Sequence, residues 1–225
     1  MKIDYNKMID HTFLKAEATK ADIDKLITEA KQYNFKTVCV NSSYVPYVKE
    51  QLKGTDIGIT SVIGFPLGAM LTNCKAYEAT EAIKAGADEI DMVINIGKLK
   101  DKDYDYVLKD IMVVKHACGK HILKVIVETA LLTKEEIEKV TKIVMQSGAE
   151  FIKTSTGFST RGASLEDVKI MKSVCGEKLL IKAAGGISNK DDMIKMYQAG
   201  ATRFGTSRSV AIVEGKESHG GWLEI

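Results

Sequence analysis

The stretch SGAEFIKTSTG, residues 147–157, holds a helix end, a buried strand and a polar loop in eleven residues. Gly148 suits the left-handed position that closes a helix, because it has no Cβ to clash. Phe151 and Ile152 begin an apolar run of strand type. Lys153 interrupts that run, and Thr154, Ser155, Thr156 and Gly157 follow it. The same Gly-Ala helix ending recurs as AGADEI at 85–90 and AGATRF at 199–204, each leading into a strand.

Worked outward from this unit, the chain gives eight strand candidates: 9–14, 37–41, 57–63, 89–94, 122–128, 151–154, 179–183 and 202–205. Their starts lie roughly 20 to 35 residues apart, about one strand–helix unit each. The segments between them carry helix starts. Thr133 with Glu136 is a capping box, and Thr19 with Asp22 and Ser164 with Asp167 place a hydroxyl three residues before a carboxylate. Alternating strands and helices predict a parallel sheet of the α/β class. Eight units in 225 residues fit a (β/α)8 TIM barrel, a single domain over residues 1–225. An open doubly wound sheet is the alternative.

The composition suits that size. Hydrophobic residues make up 45% of the chain, and the net charge is +2 from 32 basic and 30 acidic residues. Bulk charge therefore points to no nucleic acid and no anionic membrane. The longest apolar runs reach about six residues, against the ~20 of a membrane span. The opening MKIDYNKMID lacks a signal peptide's apolar stretch. Cysteines 39, 74, 118 and 175 form no C-x-x-C pair, so a reducing, cytoplasmic compartment is expected. Histidines 11, 116, 121 and 219 show no metal-ligand spacing, and neither a dinucleotide fingerprint nor a Walker loop is present. No metal and no cofactor are expected.

Barrel chemistry sits at the C-terminal ends of the strands. The polar residues there are Asp10, His11 and Thr12, Cys39 and Asn41, Asp91 and Asn95, Lys124 and Glu128, Lys153, and Lys182 in LLIKAAGGIS. Lys153 and Lys182 are 29 residues apart, which places them on adjacent strands at one height. Two ammonium groups ~5 Å apart repel by about 3 kcal/mol at an effective dielectric of ~20. That equals roughly two pH units, enough to bring one lysine near ~7–8 and make its neutral amine available as a Schiff-base nucleophile. Snorkelling to solvent is the plainer role for either lysine alone. The loops holding Thr156-Gly157, Gly185-Gly186 and Gly205 to Ser207 present backbone N–H groups and hydroxyls suited to a phosphate. In EIDMVIN, alternation puts Glu89 and Asp91 on one face. Asp91 there is either a proton-moving group or a fixed ion-pair partner. Cys39 alone reads as an inert core thiol.

The motifs ADEIDMVINIG (87–97), LKVIVET (123–129), FIKTSTGF (151–158), IKAAGGI (181–187) and RFGTS (203–207) resemble deoxyribose-phosphate aldolases. DHTFLK (10–15), TVCVN (37–41) and VIGFPLG (62–68) add to the resemblance, which runs from about residue 8 to residue 210. It implies a class I aldolase on a (β/α)8 barrel, without metal, that cleaves 2-deoxy-D-ribose 5-phosphate reversibly to D-glyceraldehyde 3-phosphate and acetaldehyde. That is a step of deoxyribose phosphate catabolism. Lys153 is then the Schiff-base lysine, Lys182 the neighbour that lowers its pKa, and Asp91 the acid/base working through a water. Thr156, Gly157, Gly185, Gly186, Gly205 and Ser207 form the phosphate site, and Asp10, Thr12 and Cys39 line the substrate pocket. The implied partners are a sugar phosphate and an aldehyde, with a homodimer left open.

Two departures from the family pattern stand out. Arg208 replaces a small residue after Gly205 to Ser207, and the tail GGWLEI lacks the terminal Tyr that assists proton transfer in some relatives. Two competing readings remain open: another Schiff-base barrel of transaldolase type, and a non-catalytic barrel that binds a phosphorylated ligand. The segment Ser159, Thr160, Arg161, Gly162 has no assigned role.

Overall fold

In the computed structural model, which describes residues 3–215, eight strands form within one residue of the predicted starts. They are β1 (Ile9–Thr12), β2 (Thr37–Asn41), β3 (Gly58–Ile63), β4 (Glu89–Val93), β5 (Ile122–Ile126), β6 (Phe151–Lys153), β7 (Leu180–Ala184) and β8 (Arg203–Thr206). All pair in parallel in chain order, and β1 pairs with β8 to close the barrel. Closure excludes the open sheet. Several strands end sooner than the apolar pattern: Leu14, Ile94 and Val127 are buried but lie past the strand ends. Burial continues into the loops at these points, so hydrophobicity overstates strand length.

The helices are α1 (Lys20–Tyr33), α2 (Val45–Gln51), α3 (Thr72–Ala85), α4 (Ile96–Lys100), α5 (Tyr104–Cys118), α6 (Lys134–Ser147), α7 (Leu165–Cys175), α8 (Lys190–Ala199) and α9 (Ser209–Glu214). Thr19 and Thr133 make reciprocal capping boxes with Asp22 and Glu136. At α7, the Ser164 hydroxyl accepts the Asp167 amide, but the Asp167 carboxylate turns to Arg161 instead of completing a box. Gly148 closes α6 at φ 82°, as its position before β6 predicts.

The sheet's two faces differ in chemistry. Val38, Val40, Ile90, Met92, Leu123, Val125, Ile152, Ile181 and Phe204 belong to the main apolar core. The alternate positions of β1, β4, β5, β7 and β8 are Asp10, Glu89, Asp91, Lys124, Lys182 and Arg203, all buried. Barrel lumens are commonly packed with Val, Ile and Leu. This one is ionic.

Candidate active site

The lumen is built from its floor upward by charge pairing. Arg203 on β8 reaches across the barrel to Glu89 on β4, with N···O distances of 2.7 and 3.2 Å, and donates to Asp10 at 2.8 Å. Its guanidinium lies over the Phe151 ring, 5.2 Å from the centroid. Lys124 contacts Glu89 at 2.5 Å, Asp91 at 2.9 Å and Asp10 at 3.4 Å. Hydroxyls complete the floor: Thr37 donates to Asp10 at 2.8 Å and Lys124 donates to Thr60 at 3.2 Å.

Above this floor sit the two lysines of the β6–β7 pair. Lys153 and Lys182 are register partners on adjacent strands. Both donate to the same oxygen of Asp91, Oδ2, each at 2.8 Å. Lys182 also contacts Asp10 at 2.6 Å. The three lysines of the lumen thus differ in their carboxylate partners. Lys124 has three, Lys182 has two and Lys153 has one, which it shares with the other two.

That inequality sets the protonation states. Burial disfavours every charge here, and the neighbours decide which charges survive. For Lys182, burial is outweighed by Asp10 and Asp91, and its pKa is raised. Lys124 is raised in the same way, against burial, by Asp10, Asp91 and Glu89. Lys153 alone of the three is lowered: burial leads, Lys182 repels, and Asp91 opposes both. The direction matches the expectation from lysine–lysine repulsion, but burial is the larger cause. Asp10 and Asp91 stay well below the usual carboxylate range because surrounding cations outweigh their burial.

A charge count supports the same assignment. The ion-paired network holds three carboxylates, Asp10, Glu89 and Asp91, against four cations, Lys124, Lys153, Lys182 and Arg203. Loss of one proton balances it, and Lys153 is the cation held by the fewest carboxylates.

The glycine loops stand beside Lys153. Gly157, Gly185 and Gly186 have φ of 90°, 69° and 71°, the left-handed region that suits glycine. The loops after β6 and β7 meet backbone to backbone. A Cβ on Gly162 would lie 2.3 Å from the Gly185 carbonyl carbon, and one on Gly185 would lie 3.1 Å from the Gly162 Cα. The Ala163 amide donates to the carbonyls of Ala184 and Gly185, both at 3.1 Å. The segment around Arg161 and Gly162, without a role in the sequence, is the backing of this loop.

Several predicted site residues have further contacts. Asp10 is fully buried and its oxygens are engaged by Lys182, Thr37 and Arg203, so it fixes Lys182 rather than lining an open pocket. Both Thr156 donors, amide and hydroxyl, go to Glu128, which makes Thr156 a strut of its loop. Gly205 lies within β8, and a Cβ there would come 3.0 Å from the Lys182 Cε, so its bareness gives Lys182 room. The Gly185 amide donates to the Gly205 carbonyl at 3.3 Å. The Thr12 hydroxyl donates to the Asp10 carbonyl at 2.8 Å. Cys39 packs with Leu14, Val62 and Phe65, and burial pushes its thiol pKa up. Ser207 and Arg208 line a cavity of about 430 Å³ with His11, Lys25 and Glu29 of the β1–α1 side. The tail GGWLEI lies outside the described residues.

Arg203, Glu128 and Arg161 carry roles that their local sequence does not announce. Alternation in RFGT, which puts Arg203 on the face of Gly205, was the available signal for the first. Among the described residues, no group of His, Cys, Asp and Glu is placed to hold a metal ion, and no helix is long and apolar enough to cross a membrane.

Eight parallel strands around a lumen of paired carboxylates and lysines make this a (β/α)8-barrel enzyme. The family described as DeoC/LacD family aldolase matches residues 5–211. Deoxyribose-phosphate aldolase of Mycoplasma mobile is 61% identical over 210 residues, 93% of this chain and 97% of that protein. The enzyme of the same name from Mycoplasmopsis synoviae is 61% identical over 218 residues, 96% of this chain and 98% of that one. Among solved structures, a tetrameric deoxyribose phosphate aldolase from Aeropyrum pernix superposes with a TM-score of 0.86 at 30% identity, covering 93% of this chain and 89% of the other. The chain belongs to the DeoC/LacD aldolase family, and it is an aldolase, a carbon–carbon lyase.

Proposed function

We propose that this enzyme cleaves 2-deoxy-D-ribose 5-phosphate reversibly to D-glyceraldehyde 3-phosphate and acetaldehyde through a Schiff base on Lys153. The observation that carries the mechanism is the unequal sharing of carboxylates, which leaves Lys153 alone of the three lysines of the lumen with a lowered pKa. The substrate comes from the names of the relatives at 61% identity.

The neutral Lys153 amine adds to the C1 carbonyl of the open-chain sugar, and loss of water gives the iminium. This cation is the electron sink for cleavage. The C3 hydroxyl gives up its proton, the C2–C3 bond breaks, and its electrons form the enamine while C3 becomes the aldehyde of glyceraldehyde 3-phosphate. Protonation of C2 and hydrolysis release acetaldehyde and restore the amine. Asp91 stands between Lys153 and Lys182 and passes protons directly or through a water. A carboxylate held this acidic does not keep a proton, so its part is relay rather than storage. Lys182 stays cationic and favours the neutral form of its neighbour. Gly157, Gly186 and Ser207 face the phosphate, with Gly185 and Gly205 shaping the loops. The free thiols of Cys39, Cys74, Cys118 and Cys175 support a reducing, cytoplasmic setting.

Borohydride reduction in the presence of acetaldehyde, followed by peptide mapping, tests this reading. One two-carbon adduct on Lys153 is expected. An adduct on Lys182 overturns the assignment of roles, and none at all favours a phosphate-binding barrel without catalysis.

A further inference from the structure

One polar group near the site has no part in this chemistry. Glu128, two residues past β5, is 3% exposed, and among the described residues no cation lies within ion-pair distance of it. Its backbone is left-handed at φ 57°, uncommon for a residue with a side chain. A buried carboxylate without a paired cation is costly unless hydrogen bonds hold it. Here the bonds come from one residue. The Thr156 amide donates to Glu128 Oε1 at 3.2 Å, and the Thr156 hydroxyl donates to Oε2. Thr156 Oγ1 in turn accepts the Phe158 amide at 3.0 Å. Gly157 is therefore bracketed by two peptide groups tied to one carboxylate.

The next residue holds the other end of the same loop. The Thr129 carbonyl accepts Arg161 Nη2 at 3.3 Å. Arg161 Nη1 donates to the Gly162 carbonyl at 3.0 Å, and the guanidinium forks onto Asp167 at 2.5 and 3.2 Å. The Thr129 amide adds a third tie, to the Thr154 carbonyl at 2.9 Å. Two consecutive residues after β5 thus grip the loop after β6 at 154, 156 and 161. That loop presents Gly157 and rests Gly162 against Gly185. A strained backbone persists where its surroundings over-determine it, and strain of this kind clusters at ligand clamps.

We propose that Glu128 and Arg161 are positioning residues of the phosphate subsite: they fix Gly157 and Gly162 against Gly185-Gly186, so that the loop's backbone faces the substrate phosphate already formed. Preorganisation of this kind removes an ordering cost from binding. The inference rests on the reading of these glycine loops as the phosphate site.

The test compares 2-deoxyribose 5-phosphate with unphosphorylated 2-deoxyribose in the unsubstituted enzyme, Glu128→Gln and Arg161→Lys. Gln keeps the shape of Glu128 but offers one acceptor oxygen where the carboxylate offers two, so one of the two Thr156 donors loses its acceptor. Lys keeps the charge of Arg161 but cannot fork onto Asp167 while reaching two carbonyls. In each variant the ratio of kcat/KM for the phosphorylated over the unphosphorylated sugar is expected to fall about tenfold, the size of one lost hydrogen bond. The fall should lie in KM, and the inhibition constant of inorganic phosphate should rise with it. An unchanged ratio, or a parallel loss on both sugars, overturns the positioning role. Where a variant is unstable, acetaldehyde trapping on Lys153 reports whether the lysine cluster is intact, and intact trapping with an unchanged ratio again overturns it. If the unsubstituted enzyme shows no preference for the phosphorylated sugar, the phosphate-site reading itself fails, a result distinct from loss of the positioning effect.

Discussion

Lys182→Met removes the cation that shares an oxygen of Asp91 with Lys153, each nitrogen at 2.8 Å from it. At roughly 5 Å and an effective dielectric of about 20, that cation disfavours a proton on Lys153 by about 3 kcal/mol. Its loss raises the Lys153 pKa by roughly two pH units. Asp91 also loses a competing partner and holds the Lys153 ammonium more tightly, in the same direction. The acid limb of kcat/KM against pH should therefore move upward by about two pH units, and below that limb the rate should fall roughly a hundredfold. Lys182 also serves the proton relay, so the height of the plateau falls too. The position of the limb, not its height, is the diagnostic quantity. Release of glyceraldehyde 3-phosphate measures it, and the pH dependence of borohydride trapping with acetaldehyde measures it without the relay. Lys182→Arg keeps the charge and should leave the limb nearly in place. If Lys182→Met traps acetaldehyde with an unshifted limb, charge repulsion has no share in lowering Lys153, and burial acts alone.

Lys153→Met should abolish turnover and stabilise the fold at neutral pH. The pKa of Lys153 in the folded chain lies below its unfolded value, so burying this amine costs stability below pH ~10.4. The cost is about 1.4 kcal/mol for each pH unit that separates the folded from the unfolded value. The variant's advantage should shrink as pH rises from the folded value of Lys153 toward ~10.4 and be gone above it, where the unfolded chain has also lost the proton. Urea midpoints at neutral and alkaline pH check this, and a lower midpoint for the variant at neutral pH contradicts it. Arg208→Ser should raise KM for the phosphorylated sugar a few-fold at low salt, with the difference closing as salt screens the exposed part of the site. Equal KM values at low salt would mean that Arg208 does not act on the phosphate.

The starts of β4, β6 and β8 were legible because each follows a helix that ends at a glycine of positive φ, Gly86, Gly148 or Gly200. The Lys153–Lys182 pairing was legible too, since one intervening helix puts residues 29 apart into register. What the sequence hid depends on closure. Arg203 meets Glu89 across the lumen from 114 residues away, and Asp10 reaches Lys182 from 172 away. No local pattern encodes either contact. Thr156 read as a phosphate ligand because its type and place suited one. Its donors were claimed by a carboxylate whose left-handed backbone had no marker in the sequence, since Glu at φ 57° is not a glycine position. Lys153 was assigned to repulsion because a neighbouring charge can be counted along a chain, whereas the burial that leads its lowering arises only when the barrel closes.

An ionic lumen is a poor way to stabilise a barrel. Desolvating such pairs costs several kcal/mol per ion, and well-packed apolar side chains often do as well or better. The arrangement makes sense as a means of control. Every carboxylate is committed to at least two cations: Asp10 to Lys124, Lys182 and Arg203, Glu89 to Lys124 and Arg203, and Asp91 to all three lysines. A fourth carboxylate in contact with Lys153 would stabilise the fold and silence the amine by keeping it protonated. Glu128, the nearby candidate, is occupied by Thr156 and forms no ion pair with Lys153. The grip that positions the phosphate loop therefore also withholds an anion from the nucleophile. Thr156→Val removes the hydroxyl tie and leaves the amide tie, so Glu128 gains freedom to approach Lys153 and raise its pKa, and the acid limb of acetaldehyde trapping should shift upward, while Thr156→Ser, which keeps the hydroxyl, should leave it in place. A limb unmoved in Thr156→Val would separate the two roles and leave Glu128 with the phosphate loop alone.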